Sequence, residues 1–68
     1  MKRIVISQRI KDYRYDKRIS QKEFGDLLGV SPQAVSKWER GGCYPDITLL
    51  PKLATLLECS ESDFFEGD

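Results

Sequence analysis

Gln33, Ser36, Lys37 and Arg40 recur at separations of three and four residues, so on a helix they share one face. An amide, a hydroxyl and two cations side by side can bond base edges and hold phosphates: glutamine pairs bidentately with adenine, lysine reaches guanine acceptors, and arginine grips phosphate oxygens. No rival chemistry is written nearby. The chain has no histidine, which rules out a Ser/His/Asp set, denies Cys43 and Cys59 a base, and leaves no zinc-ligand pattern. Catalysis is therefore not expected, nor is a metal or cofactor.

The elements that must position those four side chains lie between Ile19 and Gly41. Phe24 and Leu28, then Val35 and Trp38, give two short helices one apolar stripe each. Between them, Gly29 can close the first in the left-handed conformation, Val30 plugs the turn, and Ser31 caps the second with Pro32 at its first position. Ser20 and Glu23 form a capping box for the helix holding Gln21. Gly25 sits mid-helix, at a cost of about 1 kcal/mol against alanine, so a close approach by the following helix is expected there.

Flanking segments complete a small core. A first helix is expected from a Ser7 cap to about Tyr15, turning Ile6, Ile10, Tyr13 and Arg14 inward. After Gly41-Gly42 and a loop over Cys43-Tyr44-Pro45-Asp46, a fourth helix is expected from near Thr48, with Leu50, Leu53, Ala54 and Leu57 inward. Ser60-Glu61-Ser62-Asp63 then opens a short final helical turn that docks Phe64 and Phe65. Glu66-Gly67-Asp68 reads as a frayed end or the start of a linker. No strand pattern or repeat is visible.

Sixty-eight residues make one domain, 1–68, with a core of a few side-chain layers. No apolar run approaches the roughly 20 residues that span a bilayer, and the apolar segment after Met1-Lys2-Arg3 is too short for a signal peptide. A cytoplasmic protein is expected, with both cysteines free and partly buried. The net charge of zero conceals a polarity: eight cations and two anions fall in residues 1–22, three cations and nine anions in residues 23–68. If Lys37 and Arg40 lie beside the basic first segment, one face is cationic and the other acidic.

The run from Ile19 to Gly41, Ile-Ser-Gln-Lys-Glu-Phe-Gly-Asp-Leu-Leu-Gly-Val-Ser-Pro-Gln-Ala-Val-Ser-Lys-Trp-Glu-Arg-Gly, resembles the Cro, lambda-repressor and Xre-like helix-turn-helix domains of prokaryotes and their phages. The likeness extends from Ile6 to Phe65. It implies an all-α, compact five-helix lambda-repressor-like domain, with the helix-turn-helix at residues 20–40 formed by helices 2 and 3. It further implies a transcriptional regulator, a repressor, that lays helix 3 in the major groove of double-stranded DNA near the nucleoid. Gln33 and Lys37 match base-reading positions, and Ala34 and Ser36 adjoin them. Gln21, Ser31 and Arg40 match phosphate-contacting positions; Arg9 is a weaker one. Gln21 in the family also braces the base-reading glutamine. Arg14 and Glu39 match a structural ion pair. Two copies as a homodimer on a pseudo-palindromic operator are implied as well.

Two departures stand out. Arg18 occupies a position often held by glycine, and Gly42-Cys43 replace a basic grip on the backbone, so salt dependence should be shallow. The rival expectation is a protein-interaction module, such as an antitoxin or adaptor, using a surface around Tyr44, Pro45, Phe64 and Phe65.

Overall fold

The computed structural model describes residues 3–66. Four α-helices follow one another: α1 (Ile6–Lys17), α2 (Gln21–Leu28), α3 (Pro32–Glu39) and α4 (Leu50–Leu56). A 3₁₀ turn, Ile47–Leu49, leads into α4 and another, Glu61–Phe64, comes after it. The two ends of the domain meet in an antiparallel ladder of β1 (Arg3–Ile4) with β2 (Phe65–Glu66), Arg3 opposite Glu66 and Ile4 opposite Phe65.

That arrangement corrects the five-helix expectation. The last segment closes as a 3₁₀ turn because Ser60 and Asp63 bond each other, the Ser60 amide to Asp63 Oδ2 at 2.9 Å and the Asp63 amide to the Ser60 carbonyl at 3.0 Å. Phe65 then goes extended into the ladder (φ −120°, ψ 130°). Two residues per strand are too few to write an alternating pattern, so no strand was visible in the sequence. Gly67 and Asp68 of the expected frayed end lie outside the described residues, whereas Glu66 is paired through its backbone.

Helix α1 begins at Ile6, one residue before the expected cap, with Val5 as N-cap and no side-chain capping bond. A long-range bond sets its start instead: the Val5 amide donates to the Phe64 carbonyl at 2.8 Å. It ends when Arg18 turns left-handed (φ 58°, ψ 45°), letting the Ile19 amide reach the Arg14 carbonyl at 3.1 Å. A non-glycine residue thus makes the bend that glycine usually makes.

The turn between α2 and α3 follows from its caps. Ser20 Oγ accepts from the Glu23 amide at 3.0 Å while Glu23 Oε1 accepts from the Ser20 amide at 2.9 Å. Gly29 is left-handed at φ 76°, and Ser31 Oγ accepts from the Ala34 amide at 3.2 Å. The tight approach at Gly25 comes from the turn and not from α3: an added Cβ would lie 2.5 Å from the Val30 carbonyl oxygen. Helix α3 ends in a paired closure, with Gly41 at φ 75° and the Gly42 amide on the Lys37 carbonyl at 2.9 Å. Helix α4 starts later than Thr48, because Asp46 Oδ1 takes the Thr48 amide at 2.9 Å and tightens the first turn to 3₁₀.

Every helix contributes to one core of Ile6, Ile10, Phe24, Leu28, Val35, Trp38, Leu53, Ala54 and Phe64. Each of the larger side chains is worth roughly 1.5–3 kcal/mol of transfer free energy when fully buried. The Tyr13 ring stands edge-on to Phe24 at 5.8 Å. Phe64 is wholly buried but Phe65 stays 41% exposed, which corrects the expectation that both dock. Cys59 is half-buried and Cys43 exposed, both free; burial pushes the Cys59 thiol upward. Among the described residues no helix is long and apolar enough to cross a membrane, and no three acidic or sulfur ligands gather as a metal site.

Candidate nucleic-acid interface

Helix α3 turns Val35 and Trp38 into the core, so at 100° per residue its opposite arc carries Gln33, Ser36, Lys37 and Arg40. Gln33, Lys37 and Arg40 are exposed and Ser36 half-exposed; no other segment covers them. Gln33 and Lys37 make no hydrogen bond or ion pair among the described residues, leaving amide and ammonium available to a ligand. Arg40 folds back so that Nε donates to the Ser36 carbonyl at 3.3 Å, and its two terminal nitrogens have no hydrogen-bond partner among the described residues. The arc from Gln33 to Arg40 covers about 10 Å of helix axis, close to three base-pair steps of about 3.4 Å each.

Ala34 lies on the flank of that arc, half-buried against the core, and Ser31 is exposed at the N-cap. Ser31 Oγ accepts the capping bond, so its hydroxyl hydrogen remains to be donated.

Three helices converge on Glu39, which is 8% exposed. Arg14 Nε donates to Glu39 Oε2 at 2.6 Å and Nη2 to Oε1 at 3.0 Å, while Nη1 donates to the Ile19 carbonyl at 3.1 Å. Gln21 Nε2 adds a bond to Glu39 Oε1 at 3.2 Å. Burial alone would push the Glu39 carboxyl up, but bonds from Arg14 and Gln21 and the charges of Arg14 and Lys11 outweigh it and hold the group below 4.5. The bond to Glu39 likewise raises Arg14 against its own burial. The brace provided by Gln21 therefore goes to the ion pair and not to Gln33.

The first helix divides its charges. Lys11 is close enough to act on Glu39, so Lys11 and Arg14 border the C-terminal end of α3. Arg9, 140° around the helix from Arg14, donates through Nε to the Asp63 carbonyl at 3.0 Å and lines an open groove with Asp12, Asp16, Tyr13, Ile4 and Leu57. The structure thus brings Gln33, Ser36, Lys37 and Arg40 together and leaves Arg9 on another face. The expected cationic side is narrower than the sequence total suggests, because Asp12 and Asp16 turn with Arg9 toward the groove.

Sequence reasoning missed Tyr15, whose ring lies under the Arg14 guanidinium at 4.9 Å from centroid to Cζ. Residues adjacent on a helix point 100° apart, so only their rotamers bring them together and no spacing signals it. The partner-binding surface around Tyr44, Pro45, Phe64 and Phe65 is broken up, since Pro45 and Phe64 are buried.

A helix-turn-helix family profile matches residues 10–64. Repressor protein C2 of Salmonella phage P22 is 34% identical over 64 residues, which are 94% of this chain and 30% of that protein. The SPbeta prophage-derived HTH-type transcriptional regulator YonR of Bacillus subtilis is 33% identical over 93% of this chain and 58% of its own. The HTH-type transcriptional regulator DicA of Escherichia coli is 33% identical over 98% of this chain and 50% of its own. The chain therefore spans between about a third and just over half of these relatives. The crystal structure of the P22 c2 repressor with a synthetic operator superposes at a TM-score of 0.80, with 34% identity, 94% of this chain and 97% of that one covered. With its matched segment running from within α1 to the last buried phenylalanine, this chain belongs to the helix-turn-helix family.

Proposed function

We propose that the domain binds double-stranded DNA in a sequence-specific manner as a transcriptional regulator, acting as a repressor by occupying its operator. Helix α3 enters the major groove, and α2 crosses the phosphate backbone. The observation that carries this reading is the uncovered arc of α3, where Gln33 and Lys37 have no partner among the described residues and Arg40 offers two free nitrogens. The operator complex of the similar P22 c2 repressor supports it.

Gln33 pairs with adenine, Lys37 reaches guanine, and Ser36 touches a neighbouring base edge. Ala34, on the flank of the arc, meets a thymine methyl at the rim of the groove. Ser31 and Arg40 hold phosphates, as do the first-turn amides of α2 beside Gln21. Arg9 adds only its field from the far side. Two copies act as a homodimer on a pseudo-palindromic operator, because a face this small makes few phosphate contacts alone. The protein works in the cytoplasm, on nucleoid DNA.

Selection from a random duplex pool, followed by titration of the recovered site, tests the proposal. A recovered consensus of two half-sites, bound about a thousandfold or more above scrambled DNA, is expected. Failure to bind any duplex at micromolar protein and low salt would overturn it in favour of the protein-interaction module. Arg40→Ala should weaken all sequences alike and lower the salt slope by about one.

A further inference from the structure

We infer that the DNA-contacting surface extends beyond α2 and α3 onto α1, where the phenolic hydroxyl of Tyr15 donates to a backbone phosphate beside the start of α2. This rests on the DNA-binding reading above. Tyr15 is 66% exposed, although its ring is not loose: it stacks on the Arg14 guanidinium at 4.9 Å. That platform is itself fixed, since Arg14 spends three N–H groups on Glu39 and the Ile19 carbonyl and keeps its side chain only 12% exposed. Arg14 is thus too covered and too fully bonded to reach a ligand. The aromatic ring above it is not.

The position of the platform supplies the phosphate. Arg14 bonds the Ile19 carbonyl at 3.1 Å while the Tyr15 ring lies 4.9 Å from the same guanidinium, so the ring is held one side chain away from the segment that opens α2. In the proposed complex this segment faces the sugar-phosphate backbone, with the Gln21 and Lys22 amides lacking intrahelical partners. The hydroxyl is a neutral donor next to a cation, which strengthens it toward an anion, and the stack removes rotamer freedom before binding. Tyr15 is then a sequence-independent contact that helps offset the missing basic residues at Gly42 and Cys43.

Tyr15→Phe keeps the ring and its stack and removes only the donor. In fluorescence-anisotropy titrations at one salt concentration, the variant should bind the selected operator and a scrambled duplex about three- to tenfold more weakly, both alike, with an unchanged melting temperature. Operators carrying a neutral methylphosphonate at each position in turn give a second readout. At one phosphate the wild type should fall to the affinity of Tyr15→Phe while the variant is unaffected. Equal affinity of Tyr15→Phe and wild type for both duplexes would overturn the hydroxyl assignment and leave the DNA reading standing, as would a loss accompanied by a lower melting temperature. A wild type that binds no duplex would remove both.

Discussion

Glu39 is the residue on which the position of α3 turns. Its carboxylate receives Arg14 from α1 and Gln21 from α2, so α3 is pinned at its C-terminal end by a pair with side chains only 12% and 6% exposed. Glu39→Ala strands the Arg14 charge and should cost about 3 kcal/mol in urea unfolding at pH 7. The paired replacement Arg14→Met with Glu39→Leu should recover most of that loss, because neither charge is then left unpaired. Acid should act on the same bond. The folded Glu39 carboxyl titrates below its ordinary 4.5, so its contribution is complete above that value and disappears as pH falls through the folded one. Glu39→Gln should therefore show a shallower loss of stability between neutral pH and pH 3 than the wild type. Helical periodicity foretells which side chains share the outer arc of α3. It cannot give the turn of Gln21 toward Glu39, the fold-back of Arg40, or the stack of Tyr15, which depend on rotamers chosen by the packed structure.

At the scale of elements, local chemistry and long-range contacts left different marks in the sequence. The α2–turn–α3 unit was legible because its stop and start signals are local: Gly29 left-handed, Ser20 and Ser31 as caps, Pro32 in the first turn. The start of α1 was not, since a bond between Val5 and Phe64, far apart in the chain, decides it. The start of α4 moved because the Asp46 side chain imposes a 3₁₀ turn that apolar spacing does not encode. Two helix ends carry a testable inefficiency: Arg18 and Glu58 sit left-handed at φ 58° and 57°. Arg18→Gly and Glu58→Gly should each stabilise by about 0.5–1 kcal/mol, visible as a rise of roughly 4–8 °C in Tm per kcal/mol. Gly25→Ala should do the reverse despite the better helix propensity of alanine. Its methyl would meet the Val30 carbonyl at 2.5 Å, a backbone atom in a turn that cannot yield without moving α3.

Taken as one molecule, the domain separates a face for binding from a closure that holds it together. The nine-residue core draws on every α-helix and on the last 3₁₀ turn, and the β1–β2 ladder pairs residues 3–4 with 65–66. Phe64→Ala should cost about 3–5 kcal/mol by opening that core, whereas Phe65→Ala should cost less than 1 kcal/mol because the ring is 41% exposed. The charge polarity of the sequence survives only in part. Lys11 and Arg14 border the end of α3, while Asp12 and Asp16 face the groove with Arg9, a division that follows from 100° per residue, which puts Lys11 and Arg14 about 60° apart and gathers Arg9, Asp12 and Asp16 in a separate arc of about 60°. The central claim is that the outer arc of α3 reads base edges, and Gln33→Ala addresses it most directly. Measured against the selected operator and a scrambled duplex at one salt concentration, the variant should lose about 1–3 kcal/mol on the operator, lose preference at a single base-pair position, and bind scrambled DNA as the wild type does. An equal loss on both duplexes, or none on either, would contradict the account.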